Sequence, residues 1–272
     1  MTQTSGTLLT RIAPTGLRRV GRAGYVFERN LLVYRRGWMI VFSGFFEPVF
    51  YLFAIGIGLG RLVGDVSGPA GTPVPYDAYV APALLAASAM NGAVFESTFN
   101  LFFKLKFGNT YEAMLATPLE TRDIAFGELA WIQIRGGLYA TGFLVVMLVF
   151  GLVDSVWAVL VVPAALLIGF AFGAVGFAAT SFMRSWQDFD LVQLVTLPLF
   201  LFSATFYPLE VYPVAIQRLT LVSPLYHGVE LIRALTLGAF DVSLVAHVGV
   251  LVLLGVLGIA VARRRLELLL LK

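Results

Sequence analysis

An all-α integral membrane protein is the fold class that this sequence of 272 residues predicts, and three observations predict it. Hydrophobic residues make up 59% of the chain and charged residues only 13%, against roughly 25% charged in ordinary soluble domains. A soluble molecule of this size would lack the charge to cover its surface, so a soluble enzyme is excluded, and so is a disordered chain. The apolar residues gather into runs close to the ~20 residues that a membrane-crossing helix needs. The basic residues fall on alternate connections between those runs. The chain has no cysteine, which removes disulfides, thiolate chemistry and cysteine metal sites.

The first element is an arm, residues 1–37, read as a cytoplasmic amphipathic helix. At 100° per residue, Val20, Gly24, Phe27, Leu31, Tyr34 and Trp38 share one face, and Arg18, Arg22, Arg29 and Arg36 share the other. Leu32 and Val33 interrupt the polar face. A basic amphipathic helix ahead of a span lies in the headgroup layer, where arginine meets anionic lipid.

A single six-helix membrane domain, residues 38–262, follows. Its expected spans are Trp38–Leu59, Val80–Phe103, Leu129–Leu152, Val156–Phe182, Leu191–Phe206 and Val242–Ala262. The fifth is short and holds Pro198, a combination tolerated only where neighbouring protein satisfies the freed backbone groups. Gly169, Gly173 and Gly176 give the fourth a small face suited to close helix packing. Gly64–Pro75 is a Gly/Pro-rich loop, and residues 263–272 form a basic tail.

Orientation follows from the positive-inside rule. Arg11, Arg18, Arg19, Arg22, Arg29, Arg35 and Arg36 precede the first span. Lys104, Lys106 and Arg122 lie after the second, Arg184 after the fourth, and Arg263, Arg264, Arg265 and Lys272 after the sixth. The other connections hold only Arg61, Arg218 and Arg233. Both termini are therefore expected in the cytoplasm.

Within the apolar runs stand Glu47, Glu96 and Arg135. A carboxylate at bilayer depth costs about 2.5–3.5 kcal/mol on insertion scales, so it faces the bundle interior or a wet cavity. The acids serve either as helix–helix hydrogen bonders, with Arg135 as partner, or as the proton path of a secondary carrier. His227 reads as a boundary hydrogen bonder, and His247 as a lone histidine in a span. Gln187-Asp188-Phe189-Asp190 reads as a solvated turn.

Between the second and third spans lies Asn109-Thr110-Tyr111-Glu112-Ala113-Met114-Leu115, followed by Pro118. Asn109 with Glu112 has capping-box spacing, and Pro118 ends the helix. Two turns are not stable alone in water. Tyr111, Met114 and Leu115 therefore need a surface, either this chain's own membrane domain or a groove on another protein. The connection Tyr207–Asp241 is too long and too apolar for a structureless loop. It predicts two short re-entrant helices, Pro213–Val222 and Tyr226–Leu237, with Glu230 and Arg233 paired on one face.

The Glu96-bearing span followed by Tyr111-Glu112-Ala113-Met114-Leu115-Ala116-Thr117-Pro118-Leu119, with Phe206-Tyr207-Pro208-Leu209 and Ser223-Pro224-Leu225, resembles the permease subunits of bacterial ABC-2 type exporters, especially their NodJ-like branch. The resemblance runs over essentially the whole chain. It implies a half-transporter in the bacterial plasma (inner) membrane, which pairs with an identical or homologous second permease and two copies of a separate ATP-binding subunit. ATP and Mg would be bound through that ATPase, and residues 109–115 would be the coupling helix that enters its groove. Relatives of this kind move lipid-linked glycans, glycolipids or hydrophobic drugs outward. No G-x-x-x-x-G-K-[ST] phosphate loop occurs in the chain. No nucleophile–base pair, metal-binding set or nucleic-acid partner is implied, so the chain is expected to be a transport subunit and not itself an enzyme. The alternative is an ion- or proton-coupled carrier using Glu47 and Glu96.

Overall fold

Length and hydropathy decide the frame. The computed structural model describes residues 21–36, 46 and 49–270. Among these, four helices are long and apolar enough to cross a membrane: Tyr76–Lys106, Thr121–Val149, Val156–Thr180 and Ser243–Leu269. They are the expected second, third, fourth and sixth spans. Of the first, the described part is a shorter apolar helix, Val49–Val63; Glu47 lies outside the described residues. The expected fifth span is a helix of 14 residues, Asp188–Leu201. It stops because Pro198 lies inside it and the chain leaves the helix at Phe202, whose N–H returns to the Pro198 carbonyl. A count of six full-length spans is thus not reached among the described residues.

In chain order the helices are α1 (Ala23–Arg36), α2 (Gly58–Val63), α3 (Tyr76–Phe95), α4 (Leu101–Lys106), α5 (Thr110–Leu115), α6 (Thr121–Val149), α7 (Val161–Thr180), α8 (Asp188–Leu201), α9 (Val214–Val222), α10 (Pro224–Leu237) and α11 (Ser243–Leu270). A π-helical turn, Glu96–Asn100, joins α3 to α4 in one continuous rod. The Gly/Pro-rich loop is more ordered than its composition implies. Asp65–Ser67 (β1) and Pro73–Pro75 (β2) pair antiparallel with Val66 opposite Val74. The helices α9 and α10 occupy the two places expected before the last span.

The centre of the bundle is α7, with α11, α3, α6 and α10 packed around it. Small residues make this possible. A Cβ on Gly258 of α11 would sit 2.8 Å from the α7 backbone at Ala174 and Val175. One at Gly176 of α7 would sit 2.0 Å from the Ser97 hydroxyl. Close approach replaces side-chain bulk, as membrane bundles favour. The main core runs through Leu84, Leu85, Met90, Phe143, Met147, Ile168, Val229 and Ile232.

A second core sits at the end of the bundle where α1 and α5 lie. Val26, Leu101, Tyr111, Ile124, Ala125, Phe177, Ala178, Ala262 and Leu266 form it, drawing on α1, α4, α5, α6, α7 and α11. The residues read as a basic tail are, up to Leu270, the last turns of α11, and Leu266 among them is fully buried.

Candidate functional site

Two buried carboxylates organise the end of the bundle that carries the arm. Glu96 opens the π-turn of the second rod and is buried. Its Oε1 accepts from the Tyr34 hydroxyl at 3.0 Å and the Trp131 indole N–H at 3.1 Å. Its Oε2 accepts from the Asn100 amide at 2.7 Å and pairs with Arg135. A carboxylate has about four lone-pair sites, and here four donors from three helical segments fill them. Arg135 also donates to the Tyr139 hydroxyl at 3.1 Å and lies over the Tyr34 and Tyr139 rings, 5.4 and 5.6 Å from their centroids. Tyr34 stacks on Trp131 with ring centroids 4.8 Å apart. Burial raises the Tyr34 phenol above its ordinary value, and the nearby Glu96 charge raises it further.

Glu96 and Arg135 are the acid and base singled out from the sequence, and they meet as a pair. Their partner Tyr34, from the arm, was placed on the apolar face but not at this site.

The second carboxylate, Glu128, went unnoticed in the sequence. It is buried on α6 and accepts from Lys104 Nζ at 2.7 Å, the Asn30 amide at 3.0 Å and the Tyr111 hydroxyl at 3.3 Å. Lys104 also donates to Asn30 Oδ1 at 3.2 Å, as does Arg29. Four segments therefore converge on one group: the arm, the end of the second rod, α5 and α6. A signal existed. Thr121, Ile124, Ala125, Glu128, Leu129 and Ile132 are all buried, and their spacing is that of a single helical face. An acid on that stripe marks an interior charge.

The arm lies along α6. A Cβ on Gly127 would fall 2.5 Å from Val26 Cβ and 2.8 Å from the Ala23 carbonyl, so glycine admits the arm here. Phe27 and Tyr34 face the bundle, with the Phe27 ring 5.9 Å from that of Trp131. Leu31 is 49% exposed, beside exposed Leu32 and Val33. Val26 and Asn30 are fully buried, and Asn30 is held by Glu128. Arg22 pairs with Glu120 at the surface, 3.5 Å apart. Arg18 and the side chain of Arg36 lie outside the described residues.

The short helix α5 forms where expected, but its start differs. Asn109 has φ 45° and ψ 28°, a left-handed conformation, and makes no side-chain cap. The expected Asn109–Glu112 capping box is therefore absent. With its backbone turned left-handed, the Asn109 side chain caps none of the first N–H groups of α5. The reciprocal box is found later, between Glu120 and Asp123 at the start of α6. Tyr111 is fully buried in the second core, and Met114 and Leu115 pack partly against it. Of the two surfaces that could cover this apolar face, the chain's own is the one in place. Glu112 and Ala113 face outward, while Thr110 is half-buried. Burial pushes the Tyr111 phenol well above its ordinary value, and the Glu128 charge adds to it.

At the opposite end, Glu230 and Arg233 pair as their spacing implies. Arg233 is not at a boundary, however. It is fully buried, 3.8 Å from the centroid of the Tyr79 ring, and donates to the Tyr79 and Ala204 carbonyls at 3.3 and 2.8 Å. It thereby pins the bend after α8, where Ala204 has φ 53°. His247 is not alone: its Nδ1 lies 2.7 Å from Nδ1 of His227. Asp188 accepts from the Arg184 and Ser185 N–H groups at 2.6 and 3.1 Å and opens α8, so Asp188–Asp190, read as part of a solvated turn, form the first turn of that helix. Among the described residues no cluster of three or more His, Cys, Asp or Glu could hold a metal ion.

The chain matches the family model for the ABC-2 type transporter over residues 23–237. It is 34% identical over 228 residues to nodulation protein J of Rhizobium leguminosarum bv. viciae, covering 83% of this chain and 86% of that one. Nodulation protein J of Rhizobium meliloti (strain 1021) is 33% identical over 247 residues, 89% of this chain and 92% of the relative. That of Neorhizobium galegae is 32% identical over 269 residues, 96% and 99% respectively. With the family model covering most of its length and its polar centres mounted on membrane-length helices, this chain belongs to the ABC-2 type transporter family.

Proposed function

We propose that this chain is the permease subunit of an ATP-driven exporter that moves an amphipathic substrate, a lipid-linked glycan, glycolipid or hydrophobic drug, outward across the bacterial plasma membrane. Family membership supports the permease role and a partner ABC ATP-binding subunit. In this reading two copies of that subunit hydrolyse ATP and hold its Mg, and a second permease, identical or homologous, completes the pathway. Six membrane segments carry the chain, with α8 as a short fifth and α9 and α10 dipping into the outer leaflet as re-entrant helices. Both termini are cytoplasmic. The exposed Tyr25, Leu31, Leu32 and Val33 of the arm rest in lipid beside Arg22 and Arg29.

The observation that carries this reading is α5. It is a two-turn helix tied to the arm and two spans by Glu128, and it presents Glu112 and Ala113 outward. Such an element receives movement from another protein and hands it to the bundle. ATP binding would close the ATPase dimer, push α5, and open the interface between permeases outward. The carrier alternative loses its main support, because all four acceptor sites of Glu96 are engaged and its charge is matched by Arg135.

The test is purification of the intact complex in mild detergent, followed by identification of its subunits and bound lipid. An ABC ATP-binding subunit and a lipid-linked cargo are expected. Recovery of the chain without any ATP-binding subunit, together with transport that persists after ATP depletion, would sink the proposal.

A further inference from the structure

Glu128 is the one carboxylate among the described residues that touches the arm, the second rod and α5 while itself standing on the third long helix. Apolar packing alone would leave α5 free to slide, because hydrophobic contact has no direction. Six residues of helix cannot hold their own shape in water either. The second core supplies attraction, but from α5 only Tyr111 is fully buried in it, with Met114 and Leu115 packed partly against it. A buried, fully partnered charge network fixes one arrangement, since every alternative leaves a polar group unpaired. Lys104 cancels the charge of Glu128, Asn30 bridges the two, and the Tyr111 hydroxyl is the one bond that brings α5 into the network.

We propose that Glu128 is the positioning residue that locks α5, the arm and the adjoining ends of two spanning helices into a single rigid body, so that force applied to α5 reaches both spans undiminished. The inference rests on the reading that α5 meets the ATPase. It adds what holds α5 in register and which group does so.

The absence of cysteine from the chain makes the test direct. Ala116, the C-cap of α5, and Leu138 of α6 are both exposed. Ala116→Cys with Leu138→Cys, spin-labelled in the purified complex, reports the α5–α6 distance by pulsed electron resonance. With Glu128 in place, that distance is the same without nucleotide and with ATP plus vanadate. In Glu128→Gln it shifts on adding ATP plus vanadate by about 2 Å or more, the scale of ordinary helix shifts. A residue that merely stabilised the fold would change the distance with or without nucleotide.

Tyr111→Phe is the second variant, because it keeps the ring in the core and deletes only the bond from α5. It too acquires the nucleotide-dependent shift. A distance that moves with nucleotide in the parent complex, or that stays fixed in both variants, overturns the inference while the exporter reading stands. Loss of the ATPase from the parent complex overturns the exporter reading and this inference with it.

Discussion

Tyr111 shows how a single side chain serves two neighbourhoods, its ring in an apolar core and its hydroxyl on a buried carboxylate. Tyr111→Phe should cost about 1.5–3 kcal/mol, the range for a hydrogen bond to a charged group. Tyr111→Ala should cost about 3–5 kcal/mol, as for large aromatic truncations in cores. Thermal unfolding of the purified subunit in detergent measures both, and equal losses would mean that the ring contributes nothing. The phenol is raised above its ordinary value of 10.0 by burial first and Glu128 second. The unfolded chain can ionise this group near that value and the folded chain cannot. Its stabilisation is thus whole below the ordinary value and is lost as pH climbs above it. Tyr111→Phe should therefore flatten part of the alkaline fall in stability relative to the parent, and an unchanged alkaline limb would contradict the burial. Glu96 and Arg135 could be read from the sequence because a charge inside an apolar run has few innocent explanations. Glu128 escaped because it stands one residue before the apolar run at Leu129, where a solvated helix end is the ordinary expectation. Its burial depends on Asn30, 98 residues away in sequence, and no local pattern contains that contact.

Among the elements, the arm and α5 depend on different things. The arm approaches α6 at Gly127, so Gly127→Leu should drive Val26 away at about 1–3 kcal/mol, the usual cost of overpacking. Tyr34 would leave its stack on Trp131, and indole fluorescence would report the change; an unaltered spectrum with unaltered stability would show the arm to be loosely seated. For α5 the face that matters outward is now Glu112 and Ala113. Ala113→Arg should weaken capture of the ATP-binding subunit by about tenfold, equivalent to ~1.4 kcal/mol, without disturbing Tyr111. The comparison is co-purification against Arg218→Ala, a substitution at an exposed position at the far end of the bundle; equal capture by both variants would remove α5 as the docking element. Composition and punctuation located these elements well. Pro118 and Gly238 end helices, and α9 and α10 begin within two residues of their expected starts. The cap of α5 was misread because Asn109 favours the left-handed conformation as readily as a cap, and only the backbone distinguishes them. The seating of the arm on α6 was not legible, because Asn30, a polar residue, lies on its buried face and is held there by Glu128.

At the scale of the whole molecule, two ends are defined by what they carry. The rod Tyr76–Lys106 of 31 residues is about 46 Å long at 1.5 Å per residue, enough to separate them by a bilayer. The β1–β2 hairpin adjoins its start, and α5 adjoins its finish. Lys104, Lys106, Arg122, Arg184, Arg263 and Arg264 gather at the α5 end, on the finishes of the rod, α7 and α11 and the start of α6, whereas Arg61 stands near the hairpin. From the positive-inside rule we predict α5 in the cytoplasm and the hairpin outside. This orientation is a condition for everything above, because an ATPase can reach α5 only from the cytoplasm. The cysteine-free chain allows single thiols to decide it. Ser67, in β1, and Thr117, just past α5, are both exposed and make no contact to the buried networks. A membrane-impermeant maleimide should label Ser67→Cys in intact spheroplasts and Thr117→Cys only after the membrane is opened. Neither substitution should shift stability beyond about 0.5 kcal/mol, the usual range for surface positions, so a failure to label cannot be blamed on misfolding without a visible change in unfolding temperature. Labelling of Thr117→Cys from outside would invert the bundle. It would also leave Glu128 gripping a helix that no ATPase could touch.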